Sequence, residues 1–221
     1  MSGNLERQGA DMKIGIIGAG RVGGTLGSRW ARSGHQVIFG VRNPNSEKAQ
    51  TLLASAGQNA SAVSVAEAAA ATDVVVFATP WDTTQEAIRS AGNLAGKVVV
   101  DCTNPGRSDM TGLAIGLTTS GGEQVAAWAK GARVVKAFNT IFSTVMADPV
   151  FGSQQATAFV AGDDAEAKRI VTELGKALGF EMVDTGPLSN ARYLEPMAFL
   201  IIQVAFGTGV GPNVAFNLMK R

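Results

Sequence analysis

One short stretch near the start of the chain constrains the fold most: the spacing G-x-G-x-x-G at Gly18, Gly20 and Gly23. The apolar run Lys13–Ile17 before it predicts a β-strand, and the amphipathic run Val22–Ser33 after it predicts a helix. In such a unit the first glycine permits a tight turn, the second lets the backbone approach a pyrophosphate, and the third lets the helix pack closely on the strand. The stretch therefore predicts a dinucleotide-binding βα unit, with the phosphates at the helix N-terminus.

The rest of the chain continues the alternation of short apolar runs with amphipathic runs. Further strands are predicted at 36–41, 60–63, 73–78, 97–101, 133–136, 156–161 and 181–184. Further helices are predicted at 46–56, 64–71, 82–91, 118–130, 163–178 and from 188 onward, the last with a break at 207–212. This alternation predicts an α/β fold: a Rossmann-type, doubly wound, mostly parallel sheet with a small helical C-terminal part.

Charge and the rarest residues exclude several classes of function. Lysine and arginine number 19 against 18 acidic residues, so the chain lacks the basic excess of a nucleic-acid-binding protein. A single cysteine, Cys102, excludes an internal disulfide and a cysteine-rich metal site, and a single histidine, His35, excludes a zinc site built of imidazoles. We therefore predict no metal site and no nucleic-acid partner, and the cysteine count is compatible with a reducing, cytoplasmic location.

The residues that follow the second predicted strand indicate which cofactor the chain binds. An NAD site usually places an acidic residue there, about 20 residues after the glycines. This chain has Arg42 and Asn43 at that point, and no carboxylate before Glu47. A guanidinium matches a 2′-phosphate in charge and in bidentate geometry. The sequence therefore favours NADP(H) over NAD(H), with Asn43 and Ser46 as further candidates for the 2′-phosphate.

Small polar and apolar residues follow the fourth, fifth and sixth strands of the predicted parallel sheet. In open α/β sheets, ligands bind beyond the carboxyl ends of the strands. We predict that the nicotinamide and its ribose contact residues from these strand ends: Thr79, Pro80, Trp81, Asn104, Pro105 and Asn139.

Few titratable groups remain for acid–base chemistry. His35 falls in the turn between the first helix and the second strand, away from the carboxyl ends, and is expected at the surface. Tyr193, Lys136, Asp101 and Asp184 remain as candidate proton donors, although Lys136 fits the end of a strand better. Hydride transfer between two flat rings needs stacking, orientation and exclusion of water more than an acid or base. We therefore predict no catalytic side chain.

The C-terminal segment is unusually apolar. It carries no charge from 196 to 219, and 197–206 is nearly all apolar. A membrane span needs about 20 such residues, and Gln203, Gly207 and Pro212 interrupt this run. The segment is better explained as a helix buried in the core or in a subunit interface.

Several of these stretches resemble a known family. Besides the glycine unit they are Val-Arg-Asn-Pro at 41–44, Ala-Thr-Pro-Trp at 78–81, Ala-Phe-Asn-Thr at 137–140 and the distinctive stretch 184–192. Together they resemble the NADPH-dependent reductases of the deazaflavin coenzyme F420, and the cytosolic NADPH domain of the six-transmembrane metalloreductases is similar too. The resemblance runs from residue 12 to the C-terminus. It implies a Rossmann domain, NADP(H) at the glycine turn and usually a homodimer.

The resemblance also implies roles for individual residues. Those implied for the pyrophosphate are Gly18, Gly20, Arg21 and Val22, and those for the 2′-phosphate are Arg42 and Asn43. Those implied for the ribose and nicotinamide are Thr79, Pro80 and Asn104. The second ring would lie against the segment after Phe138 and the C-terminal helix near 194–197. The segment after Phe138 is closer to the metalloreductase domains than to the archaeal deazaflavin enzymes, which leaves the electron acceptor open.

Taken together, the sequence predicts an NADPH-dependent oxidoreductase that passes a hydride to a small-molecule acceptor of the deazaflavin or flavin type. An NADPH-dependent imine or carbonyl reductase, and a non-catalytic NADPH sensor or electron-transfer subunit, remain alternatives. We expect a loose leader at 1–11, an NADP-binding Rossmann domain at 12–187 and a helical segment at 188–221 that covers the site and contacts a second subunit. No membrane partner is expected.

Overall fold

The computed structural model describes residues 12–109 and 111–221. The predicted leader at 1–11 lies outside the described residues, as does Met110. The strands are β1 Lys13–Ile17, β2 Gln36–Gly40, β3 Ala60–Val63, β4 Val74–Phe77, β5 Val98–Asp101, β6 Arg133–Ala137, β7 Val150–Phe151, β8 Gln154–Gln155, β9 Thr157–Gly162 and β10 Glu181–Asp184. The helices are α1 Arg21–Arg32, α2 Glu47–Ala56, α3 Val65–Ala70, α4 Trp81–Ala91, α5 Gly121–Trp128, α6 Ser143–Ala147, α7 Ala165–Ala177 and α8 Ala191–Ile202.

Eight strands form one sheet in the order β10-β9-β6-β5-β4-β1-β2-β3. Six of them, β1 to β6, are parallel, so their carboxyl ends share one edge: Ile17 lies beside Gly40 and Phe77, and Asp101 lies beside Phe77 and Lys136. We call this the carboxyl edge. The strand order reverses between β1 and β4, which is where doubly wound sheets bind their ligands. The doubly wound, mostly parallel sheet that the sequence predicts is therefore confirmed.

Alternate residues of each strand face opposite sides of the sheet, and each side has its own apolar core. Ile16 belongs to the core under α1 and α7, which also contains Trp30, whereas the next residue, Ile17, belongs to the core under α3, α4 and α5. The Trp30 indole donates a hydrogen bond to the Leu174 carbonyl oxygen at 3.0 Å, which ties α1 to α7. Both faces of the parallel strands are thus covered, as the near-continuous apolar runs require.

Most predicted element boundaries hold to within a few residues. The expectation that the C-terminal helix resumes after the break at 207–212 is wrong: residues 213–221 form neither helix nor strand, because this segment bonds to the start of β9, where the Thr157 N–H donates to the Phe216 carbonyl at 2.9 Å.

The helix predicted at 118–130 begins only at Gly121, because Leu117 has a left-handed backbone (φ 65°) and the Ser120 side chain caps the helix by accepting from the Glu123 N–H. Two short features, α6 and the β7–β8 hairpin, were not predicted. Each is too short for a periodic apolar pattern to develop.

Two expectations outside the carboxyl edge are settled by the fold. His35 does lie in the turn between α1 and β2, but it is buried, at 3% exposure, so the surface position expected from the sequence is wrong. Packing of the turn on the α1–β2 unit covers it. In the C-terminal segment, α8 is followed by a π-helical turn at Gln203–Gly207. No helix within 12–109 and 111–221 is both long and apolar enough to span a bilayer.

Candidate functional site at the carboxyl edge

The glycine turn between β1 and α1 has the geometry that its sequence predicts. Gly18 has φ +102°, and a Cβ built there would fall 2.5 Å from the Ala78 carbonyl oxygen. A Cβ on Gly23 would fall 2.2 Å from the Gly18 carbonyl oxygen, because α1 packs directly on the turn. A Cβ on Gly20, by contrast, would meet no heavy atom within 4 Å. Two of the glycines are therefore needed by the fold, whereas the third keeps space free in front of the backbone.

The free space at Gly20 lies at the N-terminus of a twelve-residue helix. Gly20 is the N-cap of α1 and supplies no side-chain hydrogen bond, and the first turn contains no acidic residue. The first N–H groups of a helix lack intrahelical partners and carry the positive end of its dipole. The Arg21 side chain is exposed beside them. This end of α1 is thus suited to an anionic ligand.

A groove of about 420 Å³ begins at Gly20 and Arg21 and continues along the outer face of α1. Two further arginines line it, but each already binds a backbone carbonyl: Arg29 donates to Met146 at 2.8 Å and Arg32 donates to Ser55. These side chains fasten α1 to α6 and α2. The groove leads to the glycine turn. Arg29 and Arg32, which line it, mainly hold the helices together.

The loop after β2 carries the residues predicted for the 2′-phosphate. Arg42 and Asn43 are both exposed, and within the described parts of the chain Arg42 forms no ion pair. Asn43 shapes the loop: its Oδ1 accepts from the Asn45 N–H at 3.0 Å, and its carbonyl accepts from the Ser46 hydroxyl at 2.9 Å. Ser46 also caps α2. The loop is therefore held by its own hydrogen bonds, and the Arg42 guanidinium remains available at its surface.

The loop after β4 touches the glycine turn. The Cβ position of Gly18 lies 2.9 Å from the Thr79 nitrogen, so the two loops are in direct contact. The Thr79 hydroxyl is 2.8 Å from the Thr84 hydroxyl, and Pro80 is the N-cap of α4. The ring of Trp81 packs against Trp128 with centroids 5.3 Å apart. Thr79 is thus placed beside the turn, while Trp81 contributes to the contact between α4 and α5.

Two asparagines join the loops after β5 and β6. Asn104 Nδ2 donates to the Asn139 carbonyl at 2.8 Å, and Asn139 Nδ2 donates to Asn104 Oδ1 at 2.9 Å. Asn139 Nδ2 also donates to the Leu194 carbonyl of α8 at 3.1 Å. Both residues were predicted for the nicotinamide side of the site, and the structure places them in contact. Pro105 follows Asn104 and is buried against Gly121 of α5.

A cluster of three buried charges lies beneath this pair. The Lys136 ammonium is 2.9 Å from Asp101 Oδ2, 2.7 Å from Glu195 Oε1 and 2.6 Å from the Thr103 carbonyl oxygen. All three side chains are at most 1% exposed. Glu195 also accepts from the Gly121 and Gly122 N–H groups, both at 2.9 Å, so α8 caps the N-terminus of α5. The cluster therefore joins β5, β6, α5 and α8.

The surroundings of Lys136 keep it charged. Burial acts to lower the pKa of Lys136, but the Asp101 and Glu195 carboxylates outweigh burial and hold the pKa above its usual value. An ammonium has three N–H donors, and here all three have acceptors. Lys136 is thus a structural ion in a strand, as its position in the sequence favoured, and no proton is available from it for a reaction.

Of the other candidate proton donors, Asp101 and Asp184 are held by partners and Tyr193 is exposed. Asp101 Oδ1 accepts from both the N–H and the hydroxyl of Thr103. Asp184 pairs with Lys168 at 2.8 Å, and the Tyr193 side chain is 70% exposed on α8. Within 12–109 and 111–221, no group of acidic, histidine and cysteine side chains is arranged to hold a metal. The only cysteine, Cys102, is buried next to Asp101, and burial raises the pKa of its thiol.

Phe138, at the carboxyl edge, has a left-handed backbone conformation. It has φ 61°, which is rare for a bulky side chain, and it links the end of β6 to Asn139. Its buried ring packs against Trp30 and Phe180, with centroids 5.9 and 6.0 Å away. The core therefore holds the strained backbone in place, and such strain clusters at functional sites.

The stretch 184–192 that looked most family-specific in the sequence has a structural role. Gly186 has φ +96°, its N–H donates to Asp184 Oδ1, and its carbonyl accepts from the Gly162 N–H at 3.0 Å. Arg192 then forms two hydrogen bonds with the Glu123 carboxylate, at 2.9 and 2.6 Å. The stretch turns the chain from β10 into α8 and fastens α8 to α5, which brings Leu194 to the carboxyl edge.

Sequence reasoning missed Glu195. It is the last charged residue before the uncharged segment 196–219, and its neighbours in α8 are apolar. A carboxylate at such a position signals a buried partner, because an unpaired buried charge is very costly. The partner could not be identified, since Lys136 and the N-terminus of α5 are far away along the chain.

Comparison with known proteins agrees with this geometry. A family model described as "NADP oxidoreductase coenzyme F420-dependent" matches residues 13–105. The crystal structure of a proposed F420-dependent NADP-reductase from Arthrobacter sp. FB24 superposes with a TM-score of 0.86 at 32% identity, covering 95% of this chain and 100% of that one. A hypothetical protein from Sinorhizobium meliloti, SMa0349, is 30% identical with a TM-score of 0.76, covering 95% of this chain and 96% of that one.

A curated relative extends the comparison. Metalloreductase STEAP3 of Rattus norvegicus is 32% identical over 192 residues, which is 86% of this chain but 37% of that protein. The chain thus spans little more than a third of the curated relatives it matches. A reductive aminase from Aspergillus terreus, solved with NADPH and ethyl levulinate, shares the fold at 19% identity and a TM-score of 0.66, covering 90% of this chain and 64% of that one. From the match over the full length of the Arthrobacter protein and the family model at the glycine unit, the chain belongs to the coenzyme F420-dependent NADP oxidoreductase family.

Proposed function

We propose that this protein binds NADP(H) across the carboxyl edge and exchanges a hydride with a deazaflavin or flavin-type acceptor. The observation that carries the proposal is the free space in front of Gly20 at an uncapped helix N-terminus, which a Cβ would fill. Neighbouring glycines at Gly18 and Gly23 have no such space. Close backbone approach is what a pyrophosphate requires there. The residues present therefore fit this cofactor.

Each part of the edge has a distinct task in this proposal. The N–H groups at Gly20, Arg21 and Val22 bind the pyrophosphate, and Arg42 with Asn43 binds the 2′-phosphate. Thr79 and Pro80 flank the ribose, and Asn104 with Asn139 flanks the nicotinamide. When bound, NADPH supplies a hydride from its nicotinamide ring. The exposure of Arg42, which forms no ion pair within the described residues, supports its assignment to a second anion.

At the nicotinamide side, the chain orients the ring and excludes water rather than supplying a proton. The nearby ionisable groups Asp101, Lys136 and Glu195 are buried and bonded to one another. Transfer between two flat rings needs no proton donor beside the donor ring, whereas reduction of a simple carbonyl usually does. The commitment of Asp101, Lys136 and Glu195 to one another therefore favours a flavin-type acceptor, whose reduction requires no proton from them. The name of the F420-dependent relative from Arthrobacter points to a deazaflavin acceptor.

The choice of NADP(H) is tested by exchanging the charge at Arg42. We expect Arg42→Asp to weaken NADPH binding about 10- to 100-fold, because a charge-assisted contact is lost and a like charge faces the 2′-phosphate. Binding of NADH, which lacks that phosphate, should change by less than about threefold. Fluorescence titration measures both. Equal losses for the two nucleotides would remove Arg42 from the phosphate site.

The acceptor is tested by mixing the protein with NADPH and either coenzyme F420 or flavin mononucleotide, and following nicotinamide absorbance. Oxidation of NADPH with either acceptor supports the proposal. Turnover with a small imine or ketone alone would favour the imine or carbonyl reductase. Tight binding with no turnover would favour a sensor or electron-transfer subunit.

We also propose that the protein is a homodimer. Tyr193, Leu200, Phe206 and Val210 in the C-terminal segment are each more than half exposed. Apolar side chains grouped in this way commonly lie in subunit interfaces. Sedimentation should give about twice the chain mass of 22.8 kDa, and a monomer would contradict the proposal.

A further inference from the structure

The polar groups at the nicotinamide side, all buried except the half-buried Asn104, form a closed ring of contacts. Lys136 joins the Glu195 carboxylate to the Thr103 carbonyl, and Thr103 is followed by Asn104. Asn104 and Asn139 are bonded to each other, and Asn139 donates to the Leu194 carbonyl, the residue before Glu195. The ring thus begins and ends on α8. It passes through the loops after β5 and β6 on the way.

We infer that this ring is a positioning device, in which Glu195 of α8 fixes the two amide side chains against which the nicotinamide lies. This inference rests on the proposed binding of NADP(H). Glu195 has no role in the phosphate half of the site, since its partners are Lys136 and the N-terminus of α5. Its route to the two amides is through Lys136, whereas its contact with α5 is a docking contact that the control below reproduces.

The chemistry of the ring explains why it can hold two amides in one orientation. Asn104 Nδ2 and Asn139 Nδ2 both face carbonyl-type acceptors, so neither amide can rotate by 180° without placing two acceptors together. Hydrogen bonds in a buried, low-dielectric setting are strong. Among the described residues, the buried side-chain atom of this ring that lacks a hydrogen-bond partner is Asn139 Oδ1. Glu195 and Asp101 both bind the Lys136 ammonium, which ties α8 to the end of β5, where the loop that carries Asn104 begins.

A second contact between the same two helices provides a matched control. Arg192 of α8 pairs with Glu123 of α5, at side-chain exposures of 35% and 26%, and neither residue touches the asparagines. Loss of this pair loosens the docking of α8 on α5 in the same way as loss of Glu195 would. It leaves the ring itself intact. The two glutamates therefore separate positioning from general docking.

The test compares two ligands, NADP⁺ and 2′-phospho-ADP-ribose, which lacks only the nicotinamide. Their binding is measured for the Glu195→Gln and Glu123→Gln variants. We expect Glu195→Gln to weaken NADP⁺ about tenfold, as one lost hydrogen-bonded contact would. Its affinity for 2′-phospho-ADP-ribose should stay within about twofold. Glu123→Gln should leave both affinities within about twofold. Equal losses of both ligands in Glu195→Gln, or no loss of either, would overturn the inference.

Glu195→Gln removes one of two carboxylates from a cluster with one ammonium, so a neutral Lys136–Asp101 pair remains and the fold has no unpaired charge to bury. Asp101→Asn removes the other carboxylate that binds Lys136. It should likewise weaken NADP⁺ binding while leaving the affinity for 2′-phospho-ADP-ribose nearly unchanged. Loss of both ligands alike in Asp101→Asn would also overturn the inference. If the wild-type protein binds neither ligand, the proposed function fails instead, and the two failures are thereby distinguished.

Discussion

The two halves of the candidate site are built in opposite ways. The phosphate half consists of backbone from one short stretch, Gly18 to Gly23, with an exposed arginine beside it. The nicotinamide half consists of buried side chains from four elements, joined by contacts between residues as far as 74 positions apart. The phosphate half depends on free space in front of the backbone, whereas the nicotinamide half depends on hydrogen-bond and ion-pair partners. A methyl group at Gly20 in the phosphate half should therefore act on ligand binding alone, whereas loss of the central charge of the nicotinamide half should act on folding.

The largest expected effect tests this contrast by removing the charge of Lys136, which lies at the centre of the nicotinamide half. Lys136→Met leaves two carboxylates buried without a counter-ion, which should lower the free energy of unfolding by about 3–5 kcal/mol. Urea denaturation measures it. Arg192→Met, which breaks the half-exposed pair with Glu123, should cost no more than about 1 kcal/mol. Similar losses in the two variants would mean that the buried cluster stabilises the fold no more than the half-exposed pair does.

The glycine turn permits a sharper comparison within the phosphate half. Gly23→Ala places a methyl group 2.2 Å from the Gly18 carbonyl oxygen and should cost about 1–3 kcal/mol of unfolding free energy. Gly20→Ala places it in open space, so stability should stay within about 0.5 kcal/mol. Its NADPH affinity should nevertheless fall about tenfold. Thermal unfolding and ligand titration together test both variants, and unchanged NADPH affinity in Gly20→Ala would contradict the proposed phosphate site.

The smallest expected effect is at alkaline pH. Because the folded state raises the pKa of Lys136, the unfolded chain releases this proton first, near pH 10.4. Above that pH the folded state binds more protons than the unfolded state, so stability falls as pH rises. The contribution is at most about 1.4 kcal/mol per pH unit. Comparing denaturation of the wild type and Lys136→Met between pH 9 and 11.5 isolates it, and identical slopes would rule out the raised pKa.

The comparison also explains which parts of the site could be predicted. The roles of Gly18, Gly20 and Gly23 depend on neighbours within one βα unit, so a local pattern suffices. Asn104 and Asn139 were predicted as strand-end residues, but their mutual hydrogen bonds depend on β5 and β6 being adjacent. Glu195 was missed because nothing near it in the sequence shows that it meets Lys136.

By itself the sequence determined the alternation of strands and helices, the conformation of the glycine turn and the class of ligand that such a turn admits. These depend on periodicity and on the backbone freedom of single residues, which act over a few positions. Only the tertiary structure decided that β9 runs antiparallel to β6, that His35 is buried, and that Lys136, Asp101 and Glu195 share one buried cluster. The physical reason is that a buried charge is stabilised by whichever partners the packing of distant elements brings to it.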